Sequence, residues 1–371
     1  MATATGPAST RATRRRPPST PADERVTIAM IAREAGVSVP TVSKVLNDRG
    51  EVADDTRQRV KDLLAAAGYR RRGRPASTTV GLVDFVITEL DTPWACELLR
   101  GAEKEAHRLG CGLVLTVTHD SRTVPREWLK TLAARRSDGV VLVFSRVQEA
   151  VTEQLRPLNT PFVVVDPVGG FDPEVPSIGA TNWAGGFAAT EHLTGLGHTR
   201  IGMIAGPRDM MCSEERIDGY RAALGRAGIR VDRRFIRHGD FYPDGGQRGA
   251  AALLDLTDPP TAIFAGSDQQ ARGVYDEARA RGLGIPEDLS VIGFDDVDIC
   301  EWMSPRLTTI RQPLTQMARL AIRTVLQPPS PSGERPPRVE LATSLVIRES
   351  TAPLSVSKAS SGNGRARTRK K

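Results

Sequence analysis

The chain has 371 residues, 39% of them hydrophobic, which is long enough for two or more domains with a sizeable core and leaves room for disordered ends. The formal charge is +7: residues 1–75 hold 15 Lys/Arg against 8 Asp/Glu, residues 352–371 hold 6 Lys/Arg and no acid, and the span between them is left at −6. Basic ends on an acidic body suit a nucleic-acid partner rather than a membrane surface, and no run approaches the ~18 apolar residues of a membrane helix.

Residues 1–25 are rich in Ala, Thr, Ser, Pro and Arg, and a disordered basic tail is expected. Arg14, Arg15 and Arg16 suit non-specific phosphate attraction, and a solvated tail of no consequence suits them equally. The arginines have no apolar stretch behind them, so a signal peptide is not expected. Cys96, Cys111, Cys212 and Cys300 lie far apart with no CxxC pair, which argues against a metal cluster or disulfide frame and for a reducing cytoplasm.

The spacing predicts three short helices over 26–70. Ile28, Ile31, Ala32 and Ala35 fall on one face of the first, which Gly36 ends. Ser38 is a suitable N-cap for the second, and Pro40 is tolerated in its first turn. Val42, Val45 and Leu46 point inward there. Pro40, Ser43, Lys44 and Asn47 take the opposite face, with Val39 and Thr41 near its start. Asp54 and Asp55 favour the start of a third helix, in which Val60, Leu63, Leu64 and Ala67 share a face. Helix, Gly turn and a second helix with a small polar and basic face fit a helix-turn-helix; a three-helix domain with a solvated face fits the same spacing.

The letters go further. VTIAMIAREAGVSVPTVSKVLN, followed by EVADDTRQRVKDLLAAAGYR, resembles the DNA-binding head of the LacI/GalR family of bacterial transcription regulators. The resemblance implies that Ser38, Val39, Pro40, Thr41, Ser43 and Lys44 face the operator. It also implies that Thr27, Asn47 and Tyr69 touch phosphates. Pro40 departs from the larger or more polar residues often found at its position. It has no donor, so a base contact there must be apolar. A hinge helix with an apolar wedge is expected next in this family, yet no Leu or Ile lies between Tyr69 and Leu82. The basic linker 71–78 stands there instead, and Arg72–Gly73–Arg74–Pro75 is similar to the core of an AT-hook. Arg72 and Arg74 either grip an A·T-rich minor groove between half-sites or make only phosphate contacts.

From Thr79 the pattern changes. Apolar runs at 80–87, 112–117, 139–144, 161–166, 200–206, 261–266 and 290–296 read as strands buried on both faces. Helices are expected at Cys96–Leu109, Trp183–Leu196, Glu215–Ala227 and Gln269–Arg281. Strand–helix alternation of this kind means parallel α/β sheets, here in two lobes. Loops at the carboxyl ends of parallel strands build binding crevices. Candidates there are Asp91, Trp94, Ser145, Asp166, Thr181, Asn182, Ser267, Asp268, Asp295 and Asp296, with Arg216 at a helix start. Carboxylates, amides, a guanidinium and an aromatic face suit a hydroxyl-rich ligand such as a sugar. Each residue also has a plainer use: Ser267 or Asp268 suits a helix cap, Trp94 a core position, Arg216 a helix surface.

WACELLRGAEKEAHRLG, RRSDGVVLV, EHLTGLGHTRIGMIAGP, ERIDGYRAAL and GLGIPEDLSVIGFDD resemble the effector-binding core of the same family, a fold similar to two-lobed periplasmic sugar-binding proteins. The resemblance implies a core over 79–351, with a first lobe of about 79–198 plus 312–327 and a second of 199–311 plus 338–351. It favours Arg216 and Asp295 as ligand contacts and Ser267 or Asp268 next. An Asp is common in the family where Thr181 stands, which puts the role of that position in question.

His107, His119, His192, His198 and His238 are dispersed, and no GxSxG, HExxH or Walker A motif is present, so neither catalysis nor a metal nor a cofactor is expected. The basic tail 352–371 has no apolar heptads, so a dimer is expected rather than a tetramer. The expected protein is a cytoplasmic, nucleoid-associated homodimeric repressor. Its double-stranded operator is pseudo-palindromic, its effector a sugar, and it has no membrane partner. A nucleoid protein of low specificity for A·T-rich DNA and a solute receptor are the alternatives.

Overall fold

The computed structural model describes residues 27–46, 52–67, 81–119, 126–143, 155, 158, 160–167, 175–327 and 338–354. The N-terminal tail 1–25, the linker 71–78 and the candidates Asn47, Tyr69, Arg72, Arg74 and Ser145 lie outside the described residues, as does all of the C-terminal tail beyond 354. The chain divides between Thr78 and Thr79 into two units.

In the first unit, α1 (Ile28–Ala35) starts at Thr27, whose hydroxyl accepts from the Met30 amide at 3.3 Å, and ends at Gly36 with φ 67°. Only glycine takes that left-handed conformation without strain. α2 (Val39–Leu46) is capped by Ser38, whose Oγ accepts from the Thr41 amide at 3.3 Å. α3 (Asp54–Ala66) carries Asp54 and Asp55 in its first turn, where acids complement the helix dipole. Ile31, Ala32, Ala35, Val42, Val45, Val60 and Leu64 form its small core, so the faces expected from periodicity are the faces buried.

The second unit holds two six-stranded sheets. The first contains β1 (Leu82–Ile87), β2 (Gly112–Val117), β3 (Gly139–Val143), β4 (Phe162–Val165), β5 (Ser177–Ala180) and β11 (Arg338–Leu341), ordered 11-5-4-3-1-2 and parallel throughout. The second contains β6 (Ile201–Ala205), β7 (Ile236–His238), β8 (Ala262–Ala265), β9 (Ser290–Asp295), β10 (Thr308–Arg311) and β12 (Ser344–Val346), ordered 12-10-9-8-6-7, with only β12 antiparallel.

Central strands β1, β3, β6 and β9 are buried along nearly their whole length, because helices cover both faces. On the first sheet, α4 (Pro93–Arg108) and α11 (Leu314–Leu326) cover one face, joining Val83, Phe85 and Ile87 to Leu98, Ala102, Met317 and Ala321. α5 (Arg126–Arg135) covers the other with Trp128 and Leu132. α4 and α11 approach closely at Gly101, where a Cβ would sit 2.5 Å from the Thr315 carbonyl oxygen. On the second sheet, α6 (Asn182–Gly195) and α7 (Met211–Arg226) cover one face, and α8 (Pro243–Leu254) and α9 (Asp268–Ala280) the other, where the short α10 (Ile299–Trp302) adds the buried Cys300. Each large aliphatic chain buried in these layers contributes roughly 1.5–3 kcal/mol.

The lobe boundaries differ from those expected. Helix α6 belongs to the second lobe: its Ala189 and Leu193 pack with Ile201, Met203 and Phe294. Residues 338–341 return to the first sheet, and only β12 joins the second. The chain therefore crosses between lobes at Thr181, at Gln312 and at Thr343. Two crossings are tied together, since the Thr343 amide donates to Thr181 Oγ1 at 3.0 Å and the Thr181 amide to the Leu341 carbonyl at 3.0 Å. Thr181 is thus a crossing residue bonded to Thr343.

Candidate functional site

On the head, burial of Val42 and Val45 turns Ser38, Val39, Pro40 and Lys44 outward, while Thr41 and Ser43 are half-buried at the edge of that face. Val39 is 46% exposed, high for an apolar side chain beside a core. Ser38 Oγ and Thr41 Oγ1 lie 2.8 Å apart, so the two hydroxyls form one local donor–acceptor pair on the exposed surface. Thr27 accepts at the start of α1, which leaves its O–H proton to donate outward, a geometry suited to a phosphate oxygen.

In the core, the carboxyl ends of the strands of both sheets face a shared cavity of about 340 Å³. The first lobe supplies Thr88 and Glu89 after β1, Thr92 and Trp94 at the start of α4, and Asp166 after β4. The second supplies Cys212 and Arg216 from α7, Phe241 and Tyr242 after β7, Ser267 and Gln269 around the start of α9, and Asp295 at the end of β9. Of the expected effector contacts, Trp94, Arg216, Ser267 and Asp295 therefore converge on this cavity.

Arg216 is the organising side chain. It is 3% exposed, and its Nε donates to Asn182 Oδ1 at 2.9 Å while Nη1 donates to the Gly266 carbonyl at 2.5 Å. Its Cζ stands 3.7 Å from the Phe294 ring centroid and 5.5 Å from that of Phe241. A guanidinium has five donors, so this clamp fixes the group and leaves others for the cavity. Burial pushes the Asp166 carboxyl pKa up, and Arg216 pulls it back in part. Burial also holds Asp295 well above the usual carboxylate range, against the opposing pull of Arg216 and of a 2.6 Å bond from Gln312 Nε2. Asp166, Phe241 and Asp295 have φ of 53°, 68° and 121°, left-handed conformations that cost free energy in non-glycine residues and gather at ligand sites.

Three expected contacts do not line the cavity. Asp91 is exposed beyond its rim. Asn182 is buried and acts through Arg216. Asp268 is fully buried: it accepts from Thr309 Oγ1 at 2.5 Å and from the Val297 amide at 3.0 Å, and burial pushes its pKa up to about 6. It holds the loop after β9 against β10. Ser267 is the cap of α9, accepting from the Gln270 amide at 3.0 Å, and it also donates to the Phe241 carbonyl at 2.8 Å.

Glu89, Phe241, Tyr242 and Cys212 were not expected. Tyr242 Oη donates to the Glu89 carboxylate, joining the lobes across the cavity. Phe241 and Tyr242 follow β7, a three-residue strand with no apolar run to signal it. Burial pushes the Cys212 thiol up to about 12, so it stays protonated.

Asp296, a candidate at the end of β9, does not line the cavity and instead accepts from Arg311 at 2.6 Å and from Arg348 at 2.7 Å. His198 bonds Thr261 Oγ1 and the Ala352 carbonyl, and His192 bonds Thr351 Oγ1; both pin the strap 351–354. Among the described residues no group of three or more potential metal ligands occurs, and no helix is long and apolar enough to cross a membrane.

The chain matches the family model described as bacterial regulatory proteins, lacI family, over residues 27–72, and a periplasmic binding protein-like domain over residues 190–351. It is 34% identical over 307 residues to the HTH-type transcriptional repressor CytR of Escherichia coli K12, covering 81% of this chain and 89% of that one. The solved transcriptional regulator CelR in complex with cellobiose is 31% identical, with a TM-score of 0.66, over 88% of this chain and 100% of that one. The lac repressor dimer bound to operator and the anti-inducer ONPF is 25% identical, with a TM-score of 0.64, over 89% of this chain and 100% of that one. The chain belongs to the lacI family of bacterial regulatory proteins: it is a DNA-binding transcriptional regulator governed by a small-molecule effector, and not an enzyme.

Proposed function

We propose that the effector is an uncharged, hydroxyl-rich molecule of the sugar class, bound between the two lobes of a cytoplasmic homodimeric repressor. The observation that carries this reading is one buried guanidinium, Arg216, facing two carboxyls, Asp166 and Asp295, beside the aromatic side chains of Trp94 and Phe241. Carboxyls and a guanidinium supply acceptors and donors to ring hydroxyls, and aromatic faces take the apolar face of a sugar ring. With acids outnumbering the one cation, an anionic ligand would meet repulsion in a site of low dielectric. Cellobiose in the related regulator CelR supports the same class.

Trp94, Arg216, Ser267 and Asp295, with Asp166, are the proposed ligand contacts; Asn182 and Asp268 act as positioning residues, and Ser145 follows β3, whose Val143 lines the cavity. On the head, Ser38, Val39, Pro40, Thr41, Ser43 and Lys44 face base edges, Thr27, Asn47 and Tyr69 touch phosphates, and Arg72 and Arg74 follow the minor groove. Two heads on a pseudo-palindromic operator require two-fold symmetry, in line with the operator-bound lac repressor dimer. A ligand that touches both lobes favours one relation between them, and its differential affinity for the two states drives the switch.

Thermal unfolding of the full chain with neutral mono- and disaccharides, alongside their phosphate esters, tests the class. A neutral sugar at 100 times its Kd adds ~2.7 kcal/mol of stability and raises Tm. The same sugar is expected to change affinity for an operator selected from random DNA. A panel in which only phosphorylated or carboxylate-bearing compounds raise Tm contradicts the assignment.

A further inference from the structure

At the end of the first lobe opposite the cleft, one buried acid holds three arginines. Glu105, on the last turn of α4, is 1% exposed. It accepts from Arg108 Nη2 at 2.6 Å, Arg319 Nε at 3.1 Å and Arg323 Nε at 2.6 Å. The guanidiniums point outward: the side chains of Arg108, Arg319 and Arg323 are 55%, 44% and 46% exposed. Arg319 and Arg323 spend only Nε on the glutamate, so their terminal nitrogens take no partner among the described residues.

Of the other acids at this end, Asp84 and Asp138 are buried and Glu103 is exposed. Asp84 takes Arg135 Nη1 at 2.7 Å together with the Ser137 hydroxyl, and Asp138 takes the Gly81 amide at 2.7 Å. Three of these four acids are thus turned inward and the arginines outward, on a body whose net charge is negative.

The chain from the head arrives at the same place. The Gly81 carbonyl accepts from Gly112, just beyond α4, and Val325, at the end of α11, packs on Gly139 at the start of β3. The core therefore begins, in chain order after the head, at the end that displays these arginines.

We propose that Arg108, Arg319 and Arg323 form a phosphate-binding surface for the DNA backbone that flanks the bases read by the head. Glu105 sets the geometry. By holding the Nε of Arg319 and Arg323 it fixes the planes of those guanidiniums and leaves both their terminal nitrogens for phosphate oxygens, while Arg108, held through Nε and Nη2, keeps Nη1. This surface carries no sequence information; it adds affinity that salt removes.

The test is the slope of log K against log salt for the full chain on a random-sequence duplex and on its selected operator. Each lost phosphate contact lowers the slope by ~0.9. The R319Q/R323Q double variant is expected to flatten the slope by about one to two contacts per protomer on both duplexes, with the ratio of specific to random affinity retained. The variant Glu105→Gln removes the inward charge and is expected to steepen the slope, so it decides the matter should the double variant fail to fold. A wild-type slope in either variant, with Tm showing it folded, assigns the cluster to core stability or to an anionic protein partner and overturns the proposal.

Discussion

The two ends of the first lobe solve the same ionic problem in opposite ratios. At the end where the chain enters, one buried carboxylate serves three half-exposed arginines. In the cleft, one buried arginine serves two carboxyls. The neighbours of Glu105 hold its carboxyl well below the usual range, with the bond from Arg108 the largest influence, whereas burial pushes Asp166 and Asp295 up. Partner count and solvent decide the sign: a carboxylate among cations keeps its charge, and one removed from water with a shared cation resists it. The first arrangement presents cations to solvent and the second presents hydrogen-bonding groups to a neutral ligand.

The largest expected effect comes from breaking the cleft ratio. Arg216→Ala leaves Asn182 Oδ1 and the Gly266 carbonyl unpaired and removes the cation between two buried acids. Losing one partner of a buried charge set costs roughly 3–5 kcal/mol, to be read from urea unfolding, together with the effector-dependent rise in Tm.

The two ends should also separate by pH. The Glu105 pKa is depressed on folding, so its contribution is present above the unfolded value near 4.5 and is lost as pH falls through the folded value. Glu105→Gln is therefore expected to flatten the fall in Tm below about pH 4.5. The Asp295 pKa is raised, so the native state binds the extra proton and stability declines as pH rises from 3.8 through the folded value. Asp295→Asn should abolish that decline while weakening effector binding by about tenfold, the loss of one carboxyl hydrogen bond to the ligand.

A smaller effect lies outside both clusters. Burial lowers the pKa of His192 and of His198, so both fold neutral and must be charged in acid. Their contribution is full above the unfolded value of 6.5 and falls as pH drops below it. His198→Gln should remove part of the Tm loss between pH 6.5 and 5 at some cost in stability at neutral pH, about 1 kcal/mol for a lost pair of hydrogen bonds.

The helices of the head and the central strands were legible because each carries its own signal. Val42 and Val45 repeat at helical spacing, Ser38 caps, Gly36 stops, and β1, β3 and β6 are apolar runs, interrupted by a charge only at Asp84 of β1. What was not legible depends on long-range pairing. β7 and β12 have three residues each and contain Arg237 and Ser344, so nothing local marks them as strands. Without β7 the loop with Phe241 and Tyr242 could not be placed at the cleft. Helix α6 follows the first-lobe strands in sequence, and only the packing of Ala189 and Leu193 against Phe294 reveals its lobe. Arg216 and Asp295 were found by motif, but that Asn182 acts through Arg216 and that Asp268 braces Thr309 are facts of geometry, invisible in residue type.

Regulation by this chain requires the outer face of α2 to read DNA sequence, and the most direct test replaces Thr41 and Lys44 together by Ala. Equilibrium binding of this variant is measured on the operator selected by the wild-type chain and on random duplex at one salt concentration. Loss of base contacts worth ~1–3 kcal/mol each should bring the ratio of the two affinities toward one, with a smaller change on random DNA. A ratio equal to that of the wild-type chain, in a variant with unchanged Tm, would contradict the assignment of this helix as the reader.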